Sequence, residues 1–242
     1  MSQIHSILLI LHIVVGSLAI ILFWVPMLTQ KGRLNHIKFG KYYTFAMYTV
    51  AASGALMAIL VIAAPLLVKH EYANHEHGEQ IAFNLRVFWT FLLYLALLTY
   101  TNTKQGVVML RVKENRHLLR TFGHVAPLVA LVLGGVALVG LGVAFNKPLH
   151  IVFGILGFVI AVGSLRYIFA AKVGAKHYIK QHIGHMLGSG IGAYTAFVTF
   201  GGRQLLELPG GFQFALWLAP GLIGGIASYV LTKKYSKVFN IA

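Results

Sequence analysis

The sequence predicts an all-α, polytopic membrane protein. We expect one helical domain, residues 1–242, with about seven transmembrane helices, its N-terminus outside and its C-terminus in the cytoplasm. Hydrophobic residues make up 58% of the chain and charged residues only 10%, whereas soluble domains carry roughly 25% charged residues. Long apolar runs recur along the chain, and the segments between them alternate in charge. The chain therefore lacks the polar surface that a soluble protein needs on all sides.

Seven apolar runs have about the length that crosses a hydrocarbon core, roughly 20 residues. They are Ile4–Leu28, Tyr42–Val68, Phe83–Thr101, His124–Phe145, Leu149–Ala171, His182–Phe200 and Phe212–Leu231. These runs are too long for barrel strands and do not alternate strictly, which favours helices. The first run follows no basic segment and no small-residue cleavage site, so it is predicted to be a retained span and not a signal peptide.

The charges of the connecting segments predict the orientation. Sixteen of the 20 Lys and Arg residues fall on one side and four on the other, namely Lys69, Arg86, Lys147 and Arg203. Four of the five glutamates, Glu71, Glu76, Glu79 and Glu207, share the side with few basic residues. The positive-inside rule makes the basic side cytoplasmic. The net charge of +15 then predicts attraction to anionic inner-leaflet lipid in a bacterial cytoplasmic membrane, and no nucleic acid binding.

Histidines are the residues most indicative of chemistry, because ionisable groups within spans are costly and tend to mark function. The chain has 12 of them. Two groups at matched depths are expected. The inner group contains His124 with His182 or His185, and His36 lies at the mouth of the second span. The outer group contains His12 and His150. Four of these histidines, His12, His36, His150 and His185, are each followed about one turn later by a glycine. These glycines, which leave space for a flat ligand or a close helix, are Gly16, Gly40, Gly154 and Gly188.

Imidazole suits haem iron, zinc, copper or a proton relay. The first hypothesis is a membrane redox protein with bis-histidine haem b. Its ligands would be His124 and His185 inside and His12 and His150 outside, with quinone as a candidate electron partner. The second is a zinc or copper site, and for zinc a hydrolase, formed by His36, His124, His182 and His185. The third is a non-catalytic subunit that anchors other membrane subunits.

Other chemistries lack their residues. The absence of cysteine excludes disulfides, thiolate metal sites and cysteine nucleophiles. The sequence contains no Walker loop, no paired carboxylates and no serine nucleophile elbow. The spans contain no aspartate, which weakens a zinc hydrolase because such sites usually place an acid beside the metal. Whether the protein is an enzyme is left open by the residues alone.

Two segments resemble a bacterial family of multi-span membrane proteins, domain of unknown function 2306. The first is LHIVVGSLA at 11–19 followed by GRLNHIKFGKYY at 32–43, and the second is HIGHMLGS at 182–189. That family has a histidine and a glycine in its first helix, a His-x-x-x-Gly-basic-x-Tyr start to its second, and a late His-x-x-x-Met-x-x-Ser helix. The matching residues are His12, Gly16, His36, Gly40, His182 and Met186. The arginine-rich end of the late helix is reduced to Arg203. The resemblance implies a multi-span membrane protein and supplies no activity.

Overall fold

A computed structural model describes residues 1–202 and 212–241, and the regular secondary structure within them is helical. Arg203 and Glu207, which the charge pattern assigns to the outer side, lie outside the described residues. The eight α-helices of the described part are α1 Ser2–Leu28, α2 Leu34–Ala63, α3 Pro65–Val68, α4 Gly78–Val112, α5 Phe122–Ala144, α6 Pro148–Phe169, α7 His177–Ala196 and α8 Phe212–Val238. Short 3₁₀ turns precede α4 and α5, and a π-helical segment, Phe197–Gly202, continues α7.

Six of these helices are long and apolar enough to cross a membrane, namely α1, α2, α4, α5, α6 and most of α8. Their outer faces match a lipid environment, because large aliphatic side chains such as Ile7, Ile21 and Ile223 are about two-thirds exposed. The chain is therefore a multi-pass membrane protein, as predicted. α7 falls outside this set because its first half carries Lys180, Gln181 and three histidines.

α4 is the central helix of the bundle. It packs against α2 on one side, α7 on another and α5 on a third. α1 and α2 form one closely packed hairpin, and α5 and α6 form a second. α7 lies between α4 and α8 and also contacts α1. Residues on α4 therefore meet side chains from most of the other helices.

Two helix ends differ from the hydropathy pattern for physical reasons. α4 continues past Thr101, where the predicted span stops, to Val112. Three polar residues that lower the hydropathy there, Asn102, Thr103 and Gln105, are buried inside the bundle and do not form a loop. α2 ends at Ala63, and Pro65 starts the separate four-residue helix α3, because proline has no N–H to continue the hydrogen-bond pattern of the helix before it.

Glycines bring α5 and α6 into backbone contact. A β-carbon on Gly135 would lie 2.8 Å from Gly154 O, and one on Gly154 would lie 2.9 Å from Gly135 O. Both separations are below van der Waals contact, so neither position has room for a side chain. Small residues at such crossings are typical of membrane helix pairs, where close packing replaces the hydrophobic effect as the driving force. Gly163, also on α6, is exposed and has open space around it.

We predict that Gly154→Ala lowers the stability of the α5–α6 hairpin by about 1–3 kcal/mol, because the added methyl forces the two backbones apart. Gly163→Ala is the matched control. It adds the same methyl group to the same helix and is expected to be neutral or stabilising by up to about 1 kcal/mol, since alanine favours the helix. Thermal unfolding of both variants in one detergent measures the difference. Equal midpoints would contradict the close crossing.

Candidate functional site

α4 carries a polar segment in the interior of the bundle. Thr101, Asn102, Thr103 and Gln105 are each 5% exposed or less. The two threonines donate their hydroxyl protons to carbonyls of their own helix. Asn102 and Gln105 are three residues apart and share a helix face. A buried amide without a partner costs free energy, so these two side chains require polar groups from neighbouring helices.

Histidines from α5 and α7 meet those two amides. The His124 Nε2–H donates to Gln105 Oε1 at 2.7 Å. The His185 Nδ1–H donates to Asn102 Oδ1 at 2.9 Å, and its Nε2 lies 3.4 Å from Ser164 Oγ of α6. The polar face of α4 thus joins α5, α6 and α7 in one interior network. His124 and His185, the predicted inner pair, both belong to it.

His36 and His182 form a second pair beside this network. The His36 Nδ1–H donates to Pro26 O at 3.0 Å, and the His182 Nδ1–H donates to Gly106 O at 2.7 Å. Their ring centroids are 6.5 Å apart, with the ring planes at 72°. A neutral imidazole that donates from Nδ1 keeps its lone pair on Nε2. Both rings therefore carry a free lone pair on the ring atom that most often binds metals.

The end of α1 explains the orientation of His36. The last carbonyls of a helix have no partner within the helix, and here two basic side chains reach back to them. Lys31 Nζ donates to Pro26 O at 2.9 Å and to Met27 O at 2.6 Å, while His36 Nδ1–H shares Pro26 O. The first connecting segment is thereby fixed against α1, and His36 is held at the start of α2.

The predicted outer pair contacts different neighbours. His12 Nδ1 lies 3.0 Å from Ser53 Oγ on α2. The His150 Nε2–H donates to Val87 O of α4 at 3.1 Å, and its ring stacks on Phe91 with the centroids 5.0 Å apart. Each histidine joins its own helix to one adjacent helix. The described contacts do not bring the two imidazoles together.

Their levels along α4 also differ. His12 packs against Gly54, and a β-carbon there would be 3.9 Å from the Ala96 side chain. Val87, the partner of His150, is nine residues from Ala96, which is about 13 Å along the helix axis. It is His5 that lies level with His150, because its ring contacts Trp89 at 5.4 Å between centroids. The roles of His12 and His150 as ligands stay predictions.

The glycines near the histidines differ in what surrounds them. Gly154, one turn after His150, is filled by the backbone of α5, and Gly16 and Gly188 make ordinary contacts with Val50 and Asn102. Gly40, one turn after His36, has no atom within 4 Å of the position its β-carbon would take. Of these four glycines, only Gly40 leaves open space beside a candidate ligand.

We define the inner histidine cluster as His36, His124, His182 and His185. The last three contact α4 between Asn102 and Gly106, and His36 lies beside His182. The four rings do not surround one common point. Within residues 1–202 and 212–241, no group of three or more His or Glu side chains is close enough to hold one metal ion. Hydrolytic zinc takes three protein ligands, so the described residues give the zinc-hydrolase hypothesis no support.

The sequence-based reasoning missed Asn102, Gln105 and Ser164 as parts of the site. A signal for the first two was present, since Asn and Gln three residues apart continue the helical spacing of an apolar run. Comparisons with family models, with curated proteins and with solved structures find no match to this chain. The resemblance to domain of unknown function 2306 therefore stays a prediction, and the function is inferred from the site itself.

We predict that His124→Leu destabilises the bundle by about 1–2 kcal/mol, because it leaves the Gln105 amide buried without a partner. The double variant His124→Leu/Gln105→Leu should recover most of that loss, since replacing both polar partners with apolar groups removes the unpaired amide. Reversible unfolding of the wild type, both single variants and the double variant gives the coupling free energy. Strictly additive effects would show that the hydrogen bond contributes nothing.

Proposed function

We propose that the chain is a haem-binding membrane redox protein, with His36 and His182 as the axial ligands of one haem b. The observation that carries the proposal is the pairing of two imidazoles, on α2 and α7, that both donate from Nδ1 to a backbone carbonyl. Each is thereby held in the tautomer that binds a metal through Nε2. Ligating histidines almost always donate their second ring nitrogen in this way.

The distance between the two ring centroids is compatible with one metal ion between the rings. With a metal–nitrogen distance of about 2 Å and Nε2 roughly 1 Å from the ring centre, two opposed imidazoles have centroids about 6 Å apart. The centroids of His36 and His182 are 6.5 Å apart. Two protein ligands are what a six-coordinate haem iron needs, because the porphyrin supplies the other four nitrogens.

The surroundings of His36 favour a porphyrin over a bare ion. Gly40 leaves open space one turn away, where a flat group needs room. Arg33 lies in the adjoining segment, is exposed and matches the charge of a haem carboxylate, whereas the Lys31 ammonium is bound to carbonyls at the end of α1. Covalent attachment of the c type requires cysteines, and the chain has none, so the haem would be of the b type. When bound, its iron would supply one-electron exchange between the ferric and ferrous states.

This proposal reassigns the inner ligands. His124 and His185, the pair first expected, have their Nε2 atoms engaged by other side chains. The Nε2–H of His124 donates to Gln105 Oε1, and the Nε2 of His185 lies 3.4 Å from Ser164 Oγ. We propose that they hold α5 and α7 against α4 and so support the helix that carries His182. The electron partner would be a quinone or a further membrane subunit at the same end of the bundle.

We further propose that α7 is a seventh span and that the N-terminus lies outside a bacterial cytoplasmic membrane, with the C-terminus inside. α7 has 20 residues, about 30 Å of helix, and packs between two membrane-crossing helices, α4 and α8. His182 and His185 point inward to α4, and the exposed Lys180 lies near the start of the helix. These residues account for the lower hydropathy of α7. The charge asymmetry of the connecting segments supports the orientation.

We predict that the detergent-purified protein has a Soret band, with sharp α and β bands after reduction by dithionite. His36→Ala and His182→Ala should each abolish low-spin haem binding, because one axial nitrogen is lost in either case. His117→Ala is the control. It removes an exposed histidine from the segment between α4 and α5 and should keep the full spectrum. Absorbance per mole of protein, with metal analysis of the same samples, measures the occupancy.

Two results would contradict this assignment. Retention of the reduced spectrum by both ligand variants, with loss in His185→Ala, would return the axial role to the first-expected pair. Folded protein with no pigment but one copper or zinc per chain would assign the His36–His182 pair to a bare metal ion.

The topology is tested with single cysteines, since the natural chain has none to interfere. We predict that Asn74→Cys reacts with a membrane-impermeant maleimide in intact cells. Asn115→Cys and Asn240→Cys should react only after the membrane is opened. Labelling of the cysteine at position 240 in intact cells would mean an even number of spans and would remove α7 from the membrane-crossing set.

A further inference from the structure

A long groove on the far side of α4 from the His36–His182 pair has the form of a lipid site. α2 and α5 both pack against α4 but scarcely touch each other, so a channel remains between them over the surface of α4. Its volume is about 900 Å³. On α4 it extends from Thr90 to Arg111, about 30 Å of helix axis, which equals the thickness of a hydrocarbon core.

Most of the groove wall is apolar, and small residues line it on all three helices. Ala52 and Ala55 of α2, Ala96 of α4 and Gly134 and Ala137 of α5 line it. Small side chains on three facing helices keep the channel wide enough for a hydrocarbon chain. The apolar wall of the groove matches a hydrocarbon chain from the surrounding membrane.

The charged groups of the groove lie at one end and are basic. Lys104 and Arg111 line that end, and they are seven residues apart on the same face of α4. Lys104 Nζ donates to Tyr100 OH at 3.0 Å and to Gly123 O, which leaves one of its three protons for a ligand. Arg111 is exposed, and none of the residues that line the groove is acidic. The groove therefore offers positive charge at one end and hydrocarbon along its length.

We propose that this groove binds an anionic glycerophospholipid. The phosphate contacts Lys104 and Arg111, and an acyl chain follows the alanine- and glycine-lined channel between α2 and α5. Basic pockets between transmembrane helices are typical sites for acidic lipid head groups. The site is separate from the proposed haem, because it uses the opposite side of α4, and it stands whether or not haem is bound.

The test compares phosphatidylglycerol with phosphatidylcholine on delipidated, otherwise intact protein. Native mass spectrometry counts the lipids that stay bound, and thermal unfolding at a series of lipid concentrations gives the affinity. We expect the wild type to prefer phosphatidylglycerol. Lys104→Gln/Arg111→Gln should bind phosphatidylglycerol roughly tenfold more weakly, because both phosphate contacts are lost, while its affinity for phosphatidylcholine stays unchanged.

Matched variants separate the groove from general effects of charge and bulk. Lys172→Gln/Lys180→Gln removes the same charge from exposed positions outside the groove and should retain the wild-type preference. Ala52→Phe inserts a ring into the groove and should weaken both lipids, whereas Leu56→Phe, one turn along α2 but not in the groove lining, should weaken neither. Arg111→Gln alone, at an exposed position, covers the case in which the Lys104 change disturbs folding.

Three outcomes would overturn the proposal. One is equal affinity of the wild type for the two phospholipids, and another is the same loss of affinity in both double variants. The third is an isoprenoid quinone, and no phospholipid, extracted from the purified wild type and displaced by Ala52→Phe. That last result would assign the groove to a neutral electron carrier.

Discussion

A buried amide on a membrane helix has no water to bond, and this constraint organises the bundle around α4. The side-chain oxygens of Gln105 and Asn102 accept hydrogen bonds from imidazoles that α5 and α7 bring to them. The same two bonds fix the rotation of both partner helices about their axes, since each histidine must point at α4. That rotation then carries His182, one turn from His185, to Gly106 O. The polar segment thus positions the candidate ligand without touching it.

Much of the fold follows from the apolar runs of the sequence and from the residues that end its helices. Apolar runs predict the membrane-crossing helices because lipid requires every backbone group to be satisfied within its own helix. Their ends are harder to predict. The run Thr101–Gly106 lowers the average hydropathy and looks like the end of a span, although the helix continues to Val112. Hydropathy sums residue types and cannot register that these particular polar groups find partners in the interior.

The candidate site was predictable in its residue type and in its end of the bundle, but not in its pairing. The spacing of histidines gives their depth and helix face, which was sufficient to group His124, His182 and His185 on the inner side. Which histidine rings contact each other depends on the rotation of each helix about its axis and on the structure of the helix ends nearby. The ring of His36 is directed by the free carbonyl of Pro26 at the end of α1, a tertiary contact that no periodicity within α2 reports. Likewise, His12 and His150 are separated because His12 bonds to α2 and His150 bonds to α4.

The contact between His36 and His182 joins the second helix of the chain to one of its last. A ribosome releases the first of these side chains to the membrane long before the second, so the pair does not exist while most of the protein is being inserted. Any group that the pair retains must arrive after α7 has docked on α4. The helices would then assemble before the group is bound, and a chain that ends before α7 could not bind the group through this pair.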